Sequence, residues 1–230
     1  MKKIYNLLST ILVVSCILLA NTASAQVPAG PSDATTPPPA NATAVGKVLC
    51  AGSTISISGP QDVGGVDYTA YQWYKLDASG TRQLTTQTGR TYTETATGAG
   101  YYNYEVVTVN ASGCTSPPSD PFQIFVLPPL TATITPSATT ICAGVGTTLL
   151  TANTTPTSAA GYTFNYQWTR NGSPITGATG NTYAVANETT PATVTFGVNV
   201  TYTLNSSCSG SATQDIIVAP IPTKPTITAN

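Results

Sequence analysis

A cysteine, a lone tryptophan and a second cysteine recur in one order along this chain, each time in nearly the same words. The first copy reads Leu49-Cys50-Ala51-Gly52, then Tyr71-Gln72-Trp73, then a tyrosine–valine segment, then Cys114. The second reads Ile141-Cys142-Ala143-Gly144, then Tyr166-Gln167-Trp168, then an alternating apolar segment, then Cys208. The cysteines stand 64 residues apart in one copy and 66 in the other. Around them the apolar residues follow a period of two, which places them on one face of a strand. Val194, Phe196, Val198, Val200, Tyr202 and Leu204 share such a face, with Thr195, Gly197, Asn199, Thr201, Thr203 and Asn205 opposite. Ile55 with Ile57, Tyr102 with Tyr104 and Val106, and Phe122 with Ile124 and Val126 repeat the pattern. Turn-forming runs such as Asp77-Ala78-Ser79-Gly80 and Asn110-Ala111-Ser112-Gly113 separate these strands. Short strands at turn-bounded intervals predict an all-β chain of two tandem β-sandwiches, each with a tryptophan (Trp73, Trp168) filling its core. Leu149 takes the place of Ile57 by its offset from the cysteine, and Thr179-Gly180-Asn181-Thr182-Tyr183 echoes Thr88-Gly89-Arg90-Thr91-Tyr92.

The composition narrows the chemistry. Charged residues make up 7% of the chain and the formal net charge is −1. No clustered basic face is available to neutralise phosphates, which argues against nucleic acid as a partner. There is no histidine, which excludes Ser-His-Asp and Cys-His catalysis and any histidine-ligated metal. The N-terminus has the anatomy of an export signal: Lys2 and Lys3, an apolar run from Leu7 to Ala20, and the small-residue site Ala23-Ser24-Ala25. Cleavage there starts the mature chain at Gln26 and leaves it slightly acidic, with no membrane span. A rival lies in Val13-Val14-Ser15-Cys16, which has the form of a lipobox and would leave Cys16 lipidated; Ile17-Leu18-Leu19-Ala20 continues the apolar core past that cysteine and favours ordinary cleavage.

The expected organisation is a signal peptide over 1–25 and a disordered Pro/Ala/Thr-rich leader over 26–45. A first sandwich follows over 46–127, a second over 128–220, and a linker over 221–230. Pro128-Pro129 and Pro220 with Pro222 make the joints short and stiff. Pro225-Thr226-Ile227-Thr228 resembles Ala132-Thr133-Ile134-Thr135 and reads as the opening strand of a third copy. Four cysteines of an exported chain allow three pairings. The repeat selects Cys50 with Cys114 and Cys142 with Cys208.

Ile-Cys-Ala-Gly, later Tyr-Gln-Trp, later an aromatic–valine strand and Asn-x-x-Gly-Cys together resemble the tandem bacterial Ig-like domains of secreted and cell-surface, adhesin-type proteins of the Bacteroidota. The resemblance covers nearly all of residues 46–220 and implies Ig-like sandwiches in a non-enzymatic structural or adhesive segment, a stiff spacer or binding stalk. One departure is the long interval from Cys50 to Trp73. It implies that the disulfide ties the edge of the sandwich rather than bridging its centre behind the tryptophan.

Tyr68, Tyr71, Tyr74, Tyr101 and Tyr102 are candidates for a sugar-stacking platform. Alternation with Trp73 and Tyr104 assigns about half of them to the core, and Tyr74 and Tyr101 are expected to be exposed ligand contacts. Asp62, Asp67 and Asp77 lack the spacing of a calcium loop, so no metal, cofactor or catalytic residue is expected. Asn-x-Ser/Thr triplets, as at Asn41, Asn110, Asn153 and Asn187, follow from the Ser/Thr-rich composition. The expected partners are surface glycans, other cell-surface proteins or further copies of the chain. Two alternatives to the spacer are a carbohydrate-binding accessory module of a secreted enzyme and a fibre subunit that assembles by strand addition through Thr223–Thr228.

Overall fold

A computed structural model describes residues 27, 30–186 and 188–228. The export signal, its cleavage site and Cys16 lie outside the described residues. The chain forms β1 (Lys47–Leu49), β2 (Thr54–Ser58), β3 (Ala70–Leu76), β4 (Arg82–Leu84), β5 (Thr91–Thr95), β6 (Gly100–Val109) and β7 (Phe122–Val126). It continues with β8 (Thr131–Pro136), β9 (Thr140–Cys142), β10 (Thr148–Thr155), β11 (Phe164–Arg170), β12 (Ser173–Pro174), β13 (Thr182–Val185), β14 (Ala192–Tyr202) and β15 (Ser209–Ala219).

These strands build two sandwiches. In the first, a sheet ordered β1-β7-β6-β3-β4 faces the two-stranded sheet β2-β5; in the second, β12-β11-β14-β15-β9 faces β13-β10-β8. The central ladders correspond closely: Trp73 lies opposite Val106 across β3–β6, and Trp168 opposite Val198 across β11–β14. Both sandwiches also add a short strand in parallel to their last long one, β1 on β7 and β9 on β15.

Each tryptophan is buried and solves its one polar problem the same way. Trp73 Nε1–H donates to the Gly89 carbonyl at 2.9 Å, and Trp168 Nε1–H to the Gly180 carbonyl at 2.9 Å. A buried indole needs such an acceptor, and the repeated Thr-Gly-x-Thr-Tyr segment supplies it. The tyrosine of that segment packs on the indole, with centroids 5.7 Å apart for Tyr92 and 5.9 Å for Tyr183. Tyr104 and Phe196 extend the stack from the facing strands.

One alignment made by counting needs correction. Leu149 is exposed, whereas Leu150 is fully buried and lies opposite Tyr183, as Ile57 lies opposite Tyr92. The second copy holds one more residue before its strand, in the turn where the Val145 and Gly146 amides both donate to the Cys142 carbonyl. A one-residue slip moves a side chain to the other face of a strand. Thr148 thereby stands where the first sandwich has Ile55, and its buried hydroxyl is satisfied by the Ala138 carbonyl at 2.8 Å.

Within the leader, Ser32 and Asp33 are held against the first sandwich, while residues 34–37 are exposed as expected of a solvated segment. Asp33 bridges to Tyr101 with reciprocal backbone hydrogen bonds of 3.1 and 2.7 Å, and the buried Ser32 hydroxyl accepts from the Asn103 amide at 3.0 Å. Gly100 makes room for this segment. Its φ is +133°, and a Cβ there would meet the Asp33 carbonyl at 2.4 Å, so only glycine suits the position. At the other end, residues 220–228 are exposed and form no strand.

Candidate functional site: the junction between the sandwiches

Three features converge where the sandwiches meet. The first is apolar. Val48, Tyr101, Phe125 and Leu127 from the first sandwich and Tyr202 and Cys208 from the second are all buried in one cluster, with Leu130, Tyr162, Phe164 and Leu204 packed around them. Tyr202 and Leu204 continue the alternating face of β14 beyond the second sandwich's own core, so the period-two run serves two cores in turn. Tyr202 packs on Phe164 and Tyr162 with centroids 5.3 and 5.5 Å away. Burial, then the neighbouring Tyr162, pushes the Tyr202 hydroxyl well above the usual phenol range; burial and then Tyr101 raise Tyr162.

The second feature is polar. Tyr202 O–H donates to the Pro128 carbonyl at 3.0 Å, and Asn205 Nδ2–H donates to the Val48 carbonyl at 2.9 Å. The carbonyl of the linker residue Leu130 lies where a Cβ on Gly210 would come within 2.6 Å. That glycine lets the linker lie directly on β15.

The third is covalent. Cys50 is bonded to Cys208, with Cα atoms 5.4 Å apart. The pairing of Cys50 with Cys114 and of Cys142 with Cys208 is therefore corrected, and both Cys114 and Cys142 carry free, exposed thiols. Topology gives the reason. Cys50 follows β1, whose end lies beside Val126 and Leu127, at the junction. Cys114 follows the opposite end of β6, beside the Val109–Thr115 bridge. A ten-residue strand separates the two ends, about 33 Å at the usual rise per residue. Disulfides require Cα atoms within roughly 7 Å. The disulfide ties the first sandwich to the second and not either one to itself.

The expected ligand contacts are divided by the fold. Tyr101 is buried and not exposed: its ring packs on Phe125 with centroids 4.7 Å apart, and its O–H donates to the Pro37 carbonyl at 2.9 Å. The leader covers the face that alternation alone leaves open. Tyr74 is half-buried, opposite the exposed Leu84. Tyr71 and Tyr102 belong to the first core, and Tyr68 packs against it. Asp62 and Asp77 cap their own turns through backbone amides. Among the described residues no group of three or more His, Cys, Asp or Glu could hold a metal ion. No described helix is long and apolar enough to cross a membrane.

The first sandwich also contains a buried ion pair that the sequence did not announce. Lys75, 1% exposed, reaches Glu94 at 2.7 Å and lies 4.8 Å above the Tyr102 ring. Tyr92 O–H donates to the second Glu94 oxygen at 2.5 Å. Burial and then the Glu94 carboxylate push the Tyr92 phenol well above its ordinary range. Nearby, a cleft of about 430 Å³ opens among Lys47, Ile57, Trp73, Glu105, Asp120 and Phe122. Glu105 is held there by Arg82. Neither Tyr74 nor Tyr101 lines it.

No protein-family model matches the chain, and no curated protein matches it. Solved structures do. The fibronectin(III)-like modules of Clostridium thermocellum CbhA are 14% identical with a TM-score of 0.43, over 81% of this chain and 96% of that one. A putative membrane anchored protein from Corynebacterium diphtheriae is 13% identical with a TM-score of 0.35, over 74% of this chain and 48% of that one. A 1.5-MDa bacterial ice-binding adhesin, in a structure concerned with host cell surface retention, is 15% identical with a TM-score of 0.36, over 75% and 60%. This chain thus spans about half the length of several chains that it resembles. Several of the solved structures that match are Ig or fibronectin(III)-like domains, and this chain is itself all-β.

Proposed function

We propose that the chain is a stiff, exported, non-enzymatic spacer that holds its partners at a distance from the surface where it is anchored. The observation that carries this is the junction: an apolar cluster, the Asn205–Val48 hydrogen bond and a disulfide act between the sandwiches, and Tyr202 holds the linker residue Pro128. A packed junction resists bending, whereas a free linker leaves domain motion as the default. The disulfide and the N-terminal signal together favour an oxidising compartment outside the cytosol. Surface glycans, other cell-surface proteins and further copies of the chain are the partners suited to such a spacer. Small-angle scattering tests the reading. The oxidised protein should scatter as one elongated particle. A compact globule would overturn the spacer.

The cleft beside Trp73 favours a second reading, carbohydrate recognition by an accessory module, because it is concave and mixes apolar and carboxylate groups. A glycan array decides it. Binding lost in Phe122→Ala supports this reading, and an array with no binding removes it.

A further inference from the structure

The two free thiols occupy the repeat positions of the two bonded ones. Cys142 stands in the second sandwich near where Cys50 stands in the first: Cys50 directly follows β1 and Cys142 is the last residue of β9, both strands pair in parallel with the last long strand, and each cysteine opens Cys-Ala-Gly. Cys114 stands in the first sandwich where Cys208 stands in the second: each closes the hairpin after the long central strand. The Cys114 carbonyl accepts from the Asn110 amide at 3.0 Å, and the Cys208 carbonyl from the Tyr202 amide at 3.1 Å.

Their locations are opposite. Cys114 lies at the pole of the first sandwich away from the junction, next to the Val109 end of β6. Cys142 lies at the far pole of the second, beside Ala219, while the Tyr202 end of β14 is in the junction. With strands of ten and eleven residues end to end, the two thiols stand on the order of 60–70 Å apart. They cannot reach each other within one molecule.

Both poles also carry uncovered apolar side chains. At the Cys142 pole these are Val145, Ile217 and Ile221; at the Cys114 pole they are Val63 and Val66, in the loop before β3. Ile217 repeats a junction residue. It lies opposite Thr193, five residues before Val198, as Phe125 lies opposite Tyr101, five residues before Val106. Phe125 is 1% exposed under the second sandwich, whereas Ile217 is 51% exposed with nothing over it.

We propose that Cys142 of one copy forms a disulfide with Cys114 of a second copy, repeating between molecules the bond that Cys50 and Cys208 make within one. The contact is head-to-tail, joining two different poles, so it does not close on itself and each addition exposes a fresh thiol at either end. The two thiols lose two protons and two electrons as the sulfur–sulfur bond forms. A disulfide oxidant accepts both and is reduced to two thiols. The linkage lengthens the spacer proposed above. Its test reads the thiols alone, so either reading can fail without the other.

The full chain, exported and purified, is incubated with glutathione disulfide and run on a non-reducing gel. A ladder of monomer multiples that collapses on reduction is expected. Cleavage after Arg90, before Asp120 and after Arg170 separates the cysteines, and the ladder should yield the Cys114 peptide joined to the Cys142 peptide. Cys114→Ser and Cys142→Ser, both at exposed positions, should each abolish the ladder alone; mixed together they should give a dimer and nothing longer. Monomers that persist under oxidation would overturn the proposal. So would thiols merely capped by glutathione, or symmetric Cys142–Cys142 or Cys114–Cys114 dimers.

Discussion

Replacing Cys50 and Cys208 together by alanine should uncouple the unfolding of the two sandwiches while leaving the packing inside each core unchanged. The bond joins residues 158 apart in sequence. The loop-closure relation assigns a cross-link of that span about 5 kcal/mol against complete unfolding. The same bond closes a much shorter path while both sandwiches stay folded. Pairing of β1 with β7 already brings Leu49 beside Leu127, and Leu130 lies on Gly210, leaving only the few linker residues between. Its entropic effect on simple undocking is therefore small, and most of the 5 kcal/mol appears only when a sandwich unfolds. Guanidinium unfolding followed by tryptophan fluorescence reads this directly, since Trp73 and Trp168 report on different sandwiches. In the oxidised protein, Trp73→Phe and Trp168→Phe variants should give coincident transitions. In the cysteine double variant the transitions should separate, the weaker sandwich losing several kcal/mol. The monomer, unfolded without reductant, should contain two reactive thiols in the chain from Gln26. No reactive thiols, or a midpoint unchanged by the double substitution, would refute the junction disulfide.

Trp168→Ala should cost about 3–5 kcal/mol by thermal or denaturant unfolding, because a fully buried ring is removed from the middle of a packed core. Lys75→Met should destabilise the first sandwich by about 3–5 kcal/mol, since it strands Glu94 in a largely buried site; Lys75→Met with Glu94→Gln should recover most of that loss. Tyr202→Phe should weaken the junction by about 1 kcal/mol through the lost hydrogen bond to Pro128, leaving the second core intact by circular dichroism. The turn at Asp33 should persist into strong acid. Hydrogen bonds from Thr36 and Thr35 hold this carboxylate far below its ordinary range, so its contribution is present above the unfolded value and is lost only as pH falls through the depressed one. Amide exchange of Thr35 and Thr36 against pH checks it, and release near pH 4 would contradict it.

The sandwich interiors were largely legible in the residues. Trp73, Trp168 and the run from Val194 to Val200 are buried because period-two alternation meets a strand whose other face is wet. Thr-Gly-x-Thr-Tyr proved to be a working unit, its glycine carbonyl accepting from the indole and its tyrosine stacking on it. Counting offsets failed where a turn absorbed one extra residue and moved Leu150 into the place expected for Leu149. Tyr101 was misplaced because local alternation cannot register a segment more than sixty residues upstream folding across it. The Lys75–Glu94 pair was illegible for a similar reason: a lysine in a strand reads as solvent-facing until the opposite sheet brings a carboxylate over it.

By itself the amino-acid order determined that the chain is all-β, where each strand turns, and that two tryptophan cores form, since these follow from short-range alternation and turn chemistry. It placed four cysteines at matching points of two copies and so suggested that each copy closes on itself. Tertiary structure decided otherwise. Parallel addition of β1 and β9 carries Cys50 and Cys142 to one pole of their sandwiches, and the hairpins carry Cys114 and Cys208 to the other. Within a copy the cysteines stand a full strand length apart, and only across a junction between sandwiches do they come within bonding distance.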